Sequence, residues 1–153
     1  MIIRDREIMS KQNTRAALGS LGERLAQAYL EAEGYHIESI NWQGQRGEID
    51  LIVRQADILV IVEVRTTSTS WLDRPAEATP ISKQRQVARC ADEYVSKRAS
   101  HLPKILDIRF DVIGVLIPKH TTTNGQDPTM ISISEANIHL DHVDNAYSSP
   151  WAF

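Results

Sequence analysis

The chain has 153 residues, a formal net charge of -3 and a single cysteine. That length suits one domain around one core, and one cysteine excludes an internal disulfide framework. No stretch reaches the length of a membrane span, and Met1 to Asn13 is too polar for a secretory signal, so no membrane partner and a cytoplasmic location are expected.

Residues 1–14 read as a flexible arm, 15–148 as the single domain and 149–153 as a tail. A first helix is predicted from about Arg15 to Glu33. Leu18, Leu21, Leu25, Ala28, Tyr29 and Ala32 recur at helical spacing, and Gly34 supplies a stop. Glu23 falls at the edge of that apolar stripe, beside Gly19, Ala26 and Leu30. Gly19 and Gly22 would let another backbone or a ligand approach closely on this side. Tyr35 to Trp42 reads as a strand, and Gln43 to Gly47 as a loop of turn residues.

The stretch from Arg46 to Arg65 reads as a β-hairpin with Ala56-Asp57 as its turn. With a two-residue turn, Arg54 pairs with Leu59 and Asp50 lies opposite Glu63. Glu48, Asp50, Ile52, Leu59, Ile61, Glu63 and Arg65 then share one face. Ile49, Leu51, Val53, Val60, Val62 and Val64 form a dry opposite face. Opposed residues on paired strands have Cβ atoms about 4.5–5.5 Å apart. Two carboxylates held so close repel, and the arrangement makes better sense as a pair of oxygen ligands for a hard divalent cation. Acidic residues in strands usually face water, but Asp50 and Glu63 are each set among apolar neighbours, where an unpaired charge is costly. A turn of another length would change which residues face each other.

Thr66 to Ala78 is a polar loop containing Trp71 and Arg74. An aromatic and an arginine there suit contact with nucleic acid, although a lone loop Trp more often packs back on its own fold. Thr79 is the expected N-cap of a second helix, with Pro80 at its first position, running to about Ala99. Its inward stripe is Val87, Cys90, Ala91, Tyr94 and Val95, which makes Cys90 a core residue. Lys83 lies one turn earlier on the same stripe, so its ammonium either snorkels past the core edge or enters the acidic site. Ile108 to Ile117 is a strongly apolar strand, Met130 to Ser134 a short one, and Ile138 to Tyr147 a weaker last segment. The order α-β-β-β-α-β-β implies an α/β fold with a mixed sheet flanked by helices.

Charge is unevenly distributed. Arg65, Arg74, Lys83, Arg85, Arg89, Lys97 and Arg98 make the middle basic, and after Lys119 there is no Lys or Arg. This asymmetry permits a phosphate-binding face on an acidic protein, and it equally fits ordinary solvated helix charges.

Together, Gly19-x-x-Gly22-Glu23, Gly34-Tyr35, Gly47-Glu48-Ile49-Asp50-Leu51-Ile52, Val62-Glu63-Val64-Arg65, Lys83, Arg109-Phe110-Asp111-Val112 and Asn145-Ala146-Tyr147 resemble the YraN-like family. These small uncharacterised bacterial proteins are similar to archaeal Holliday-junction resolvases. Both belong to the restriction-endonuclease-like superfamily with the PD-(D/E)xK signature. The resemblance covers Leu18 to Tyr147.

The resemblance implies a restriction-endonuclease-like fold, a Mg²⁺- or Mn²⁺-dependent endonuclease, and branched or structured DNA as partner. Asp50 matches the signature Asp and would bind metal. Glu63 matches the second acid, ligating metal and holding the attacking water. Glu23 matches a first-helix Glu, a further ligand directly or through water. Arg65 stands where the signature has Lys. It keeps the charge and can grip phosphate in two places, but it cannot take a proton from water. Lys83 would then supply the missing ammonium. Arg46, Arg65, Arg74, Lys83, Arg85 and Arg89 are the expected nucleic-acid contacts. The alternatives are a catalytically impaired nuclease-fold protein that still binds nucleic acid and, more distantly, a protein-interaction module. A homodimer would suit a junction cutter, though no residue argues for one.

Overall fold

The computed structural model describes residues 11–68, 79–118 and 138–149, with 11–14 as backbone alone. Among these, two helices and five strands follow one another: α1 (Lys11–Ala32), β1 (His36–Gln43), β2 (Glu48–Gln55), β3 (Ile58–Thr67), α2 (Ile81–Arg98), β4 (Asp107–Leu116) and β5 (His139–Tyr147). The strands form one sheet in the order β1-β2-β3-β4-β5. β3 and β4 run parallel and the other neighbours antiparallel. This is an α/β architecture with a mixed sheet. Trp71, Arg74 and the short strand expected at Met130–Ser134 lie outside the described residues. No described helix is long and apolar enough to cross a membrane.

Alternation of side chains puts an apolar layer on each face of the central strands. Ile52, Leu59, Ile61 and Phe110 pack against Val87, Ala88, Cys90, Ala91 and Tyr94 of α2. Leu51, Val53, Val60, Val62, Ile113 and Val115 pack against Ala26 and Leu30 of α1. Each fully buried Val, Leu, Ile or Phe among these contributes roughly 1.5–3 kcal/mol. The middles of β2 and β3 are therefore dry on both faces, as the almost unbroken β-branched run from Ile58 to Val64 implies for β3.

The two helices meet the sheet differently. α1 begins at Lys11, earlier than its apolar spacing suggests, and its buried row is Gly22, Ala26 and Leu30. Ala28 and Ala32, expected inward, are exposed. The reason is close approach. A Cβ on Gly22 would collide with the Thr66 side chain, so the helix turns its small i, i+4 row towards β3 while Leu18, Leu21, Leu25 and Tyr29 flank it. Gly34, at φ 88°, ends the chain's helical path, with Tyr35 N–H donating to Leu30 O at 2.9 Å. α2 starts at Ile81 with Pro80 as N-cap and no side-chain cap. Thr79 does not cap it, because its hydroxyl is engaged elsewhere.

A buried polar network ties α1 to the far strands. Asp111, 1% exposed, accepts hydrogen bonds from Arg109 Nε and Nη2 (2.8 Å each) and from Asn145 N (2.9 Å), and its Oδ2 lies 2.8 Å from His142 Nε2. His142 Nδ1 meets the Tyr29 hydroxyl at 3.2 Å, and Arg109 Nη2 also donates to Tyr35. Burial pushes the Asp111 carboxyl up, but its bonds to His142, Arg109 and Asn145 N outweigh that and leave it below the usual carboxylate range. The register of β5 shifts between Phe110 and Val112, and Asn145 takes φ 49° there. The Asp111 carboxylate satisfies the amide that this bulge exposes.

Candidate functional site

The site forms where β2 parts from β3. Their pairing follows the expected register from Gln55↔Ile58 to Leu51↔Val62, across the Ala56-Asp57 turn. Beyond Leu51 the strict alternation fails. Ile49 turns to the α2 side and packs with Ile52, three residues on, instead of sharing a face with Leu51. Asp50 and Glu63 are consequently not a backbone-paired couple, as the sequence had suggested. The Asp50 Oδ2 instead accepts the Val64 backbone N–H at 2.8 Å.

The β1–β2 loop is clamped onto α2 beside this point. Gln86 Nε2 donates to Arg46 O at 2.8 Å, and the Glu93 carboxylate accepts Gln45 N at 3.0 and 3.2 Å. Gly47 sits at φ 153°, and a Cβ there would collide with the Gln86 amide. The clamp leads the chain into Glu48 and Asp50 while leaving Arg46 exposed near the solvent face of α2, where Arg85 and Arg89 also lie exposed.

Glu48, Ile49, Asp50, Val62, Glu63, Lys83 and Val87 line a small cleft. The structure thus brings together Asp50, Glu63 and Lys83, and adds Glu48, which sequence reasoning had not singled out. Burial pushes the Asp50 carboxyl up to about 6, with Glu23, Glu63 and Glu48 adding to it against the opposing Val64 hydrogen bond. Glu63 Oε1 pairs with Arg65 Nε at 3.3 Å. Its Oε2 is buried and has no hydrogen-bond partner among the described residues. Arg65 Nη2 donates to Thr79 Oγ1 at 2.8 Å.

Glu23 stands apart from this cleft. It lines a larger neighbouring groove with Arg15, Leu18, Gly19, Val64, Thr66, Thr67 and Ser68. Among the described residues, no three His, Cys, Asp or Glu side chains converge closely enough to hold an ion, so Glu23 does not complete a ligand triad with Asp50 and Glu63. Its charge still reaches Asp50. Tyr147 is a second residue that sequence reasoning left without a role. It stacks on Phe110, and its hydroxyl pKa is raised by burial and by Glu63, with Arg65 opposing. The only sequence signal for it was the Asn145-Ala146-Tyr147 segment.

The donor set fits a hard divalent cation. Asp50 and Glu63 supply carboxylate oxygens, one of them an orphaned Oε2, and neither sulfur nor imidazole lines the cleft.

Residues 22–115 match the model of the uncharacterised protein family UPF0102. The chain belongs to this family. Among UPF0102 proteins it is 38% identical over 109 residues to one from Porphyromonas gingivalis, covering 71% of this chain and 76% of that one. A UPF0102 protein from Rhodococcus opacus is 41% identical over 101 residues, covering 66% and 83% of the two chains. One from Bacteroides thetaiotaomicron is 34% identical over 133 residues, covering 87% and 93%. The UPF0102 match contains Glu23, Asp50, Glu63, Arg65, Lys83 and Asp111, and ends before Tyr147.

Proposed function

We propose that this UPF0102 protein is a metal-dependent endonuclease of the restriction-endonuclease-like class, acting on branched or structured DNA. The observation that carries the reading is the buried Glu63 Oε2, which has no hydrogen-bond partner among the described residues, on a residue that lines a cleft with Asp50 and Lys83. A buried acceptor without a donor costs stability, roughly 1–3 kcal/mol for a neutral group and more for a charged one, which argues for a ligand at that atom. The order α-β-β-β-α-β, with β3 and β4 parallel and a helix on each face, agrees with that superfamily as fold-level analogy.

In this reading Asp50 and Glu63 hold Mg²⁺ or Mn²⁺. The cation, when bound, supplies Lewis-acid stabilisation of charge on the phosphoryl oxygens. Glu63 Oε2 orients the attacking water. Lys83 presents its ammonium to a phosphate oxygen from the helix side of the cleft. Glu23, from the groove behind Val64, acts on Asp50 through charge or through a water. Arg46, Arg85 and Arg89 meet the flanking phosphates.

A second reading keeps nucleic-acid binding and loses turnover. It draws on Arg65, which replaces the signature lysine and has its guanidinium engaged with Glu63 and Thr79. Mg²⁺-dependent cleavage of a four-way DNA junction separates the two. The nuclease reading requires cleavage by wild type and none by Glu63→Gln. Junction binding without cleavage selects the second.

A further inference from the structure

We infer that Arg65 is a positioning residue that braces α2 against Glu63, and that the cation offered to the substrate phosphate is Lys83; this rests on the nuclease reading above. Among the described residues the guanidinium reaches an acceptor on β3 and another at the start of α2. Nε reaches Glu63 Oε1 at 3.3 Å, and Nη2 reaches Thr79 Oγ1 at 2.8 Å. Both partners are largely enclosed, with Thr79 8% exposed and the Glu63 side chain 17%. Glu63 and Arg65 are two apart on β3, so they share the α2 face. The residue in register with Arg65 on β4 is Gly114, which puts no side chain on that face.

A planar fork can donate in two fixed directions at once. A lysine ammonium on a flexible stem is a single point and cannot hold Glu63 and Thr79 with the same geometry. The exchange of Lys for Arg therefore changes the function of the position. It trades a charge at the metal for a strut between a strand and a helix.

The far end of the strut lies at the start of α2. Pro80 caps the helix with no side-chain bond. Gln84 Nε2 donates to Thr79 O and Gln84 N to Pro80 O, both at 3.0 Å. Thr79 is thus held by Arg65 on its side chain and by Gln84 on its backbone. Lys83 sits within the same first turn and lines the cleft with Asp50 and Glu63. Releasing the strut frees the turn that carries Lys83.

The full-length chain tests this by junction binding across a salt series, Mn²⁺ calorimetry and Mg²⁺-dependent cleavage. Lys83→Met should lower the log–log salt slope by about 0.9, the loss of one phosphate contact, and leave Mn²⁺ affinity within about twofold. Arg65→Gln and Thr79→Val should leave that slope unchanged. Each should lower kcat by about tenfold with KM within about threefold, and the double variant should be no slower than Arg65→Gln alone. Thr79→Ser, which keeps the hydroxyl, should restore the rate, whereas a packing role for the threonine methyl would leave it impaired. Arg65→Lys should remain slow.

The inference is overturned if Arg65→Gln lowers the salt slope as Lys83→Met does. It is also overturned if Thr79→Val cleaves like wild type while Arg65→Gln does not, or if Arg65→Lys is fully active. Wild type that binds DNA without cleaving it overturns the nuclease reading alone, and the salt slopes still decide between Arg65 and Lys83. Wild type that binds neither Mn²⁺ nor DNA overturns both.

Discussion

The Asp50 carboxylate accepts the Val64 backbone N–H at 2.8 Å. A side chain thus takes over from the backbone where the antiparallel ladder between β2 and β3 stops at Leu51↔Val62. The strands separate without leaving that amide orphaned, and the gap becomes the cleft. The same bond holds Asp50 among three other carboxylates, Glu23, Glu48 and Glu63, which its burial would otherwise disfavour.

That placement has a pH signature. The folded-state Asp50 pKa is raised from 3.8 to about 6, so the native protein binds a proton that the unfolded chain has released. Stability in metal-free buffer should therefore fall as pH rises from about 4 to about 6, by up to about 3 kcal/mol from this group. Asp50→Asn should remove that slope and be the more stable protein at pH 7. Urea denaturation at pH 4.5 and 7 measures the difference. Equal slopes in the two proteins would mean that the carboxylate is solvated.

Metal should reverse the penalty. On the proposed reading Mn²⁺ or Mg²⁺ would bind the deprotonated carboxylates, so its stabilising effect should be larger at pH 7.5 than at pH 5. At a concentration of about 100 Kd the gain is about 2.7 kcal/mol. Thermal melts of wild type should shift upwards accordingly, and those of Asp50→Asn should not. A matching shift in the mutant would place the ion elsewhere.

Gly22 should resist the usual helix-stabilising exchange. Alanine is favoured over glycine inside a helix by about 1 kcal/mol. Here the new methyl would meet the Oγ1, Cβ and Cγ2 of Thr66, a short branched side chain that cannot swing away. Overpacking of this kind costs about 1–3 kcal/mol and would push α1, with Glu23, off β3. Gly22→Ala should lower the melting temperature, and Gly22→Ala/Thr66→Ser should recover part of the loss. A stabilised single mutant would show that the helix stands further from β3.

Asp111→Asn should be among the most damaging single changes. It leaves the Arg109 guanidinium, whose side chain is 18% exposed, without its counter-charge. Breaking such a pair costs about 3–5 kcal/mol. Because the Asp111 pKa is depressed, its contribution is present above the ordinary carboxylate pKa and lost as pH falls through the lowered value. The gap between wild type and Asp111→Asn should therefore narrow on acidification below about pH 4, as followed by circular dichroism. A constant gap would assign the damage to packing.

Much of this architecture is local and was legible in the residues. The Ala56-Asp57 turn and the register from Arg54↔Leu59 to Leu51↔Val62 follow from period-two alternation across a short polar break. The inward row of α2, from Val87 to Tyr94, follows from helical spacing, as does the placing of Lys83 at the edge of the site. The family resemblance likewise came from short motifs, and the UPF0102 match agrees with it.

What the residues did not reveal depends on partners distant in the chain. Alternation carried past Leu51 puts Asp50 opposite Glu63, but Asp50 instead satisfies the Val64 amide, 14 positions away. The rotation of α1 was misjudged at Ala28 because only the Thr66 side chain, packed against Gly22, decides which small row can approach the sheet. Thr79 looks like a helix cap until Arg65, 14 residues earlier, takes its hydroxyl. Periodicity sets which face a residue is on, since that is a property of the backbone repeat. Which groups share a cleft depends on where strands part and helices dock, and those positions are set by steric and hydrogen-bond demands between segments that the local pattern does not connect.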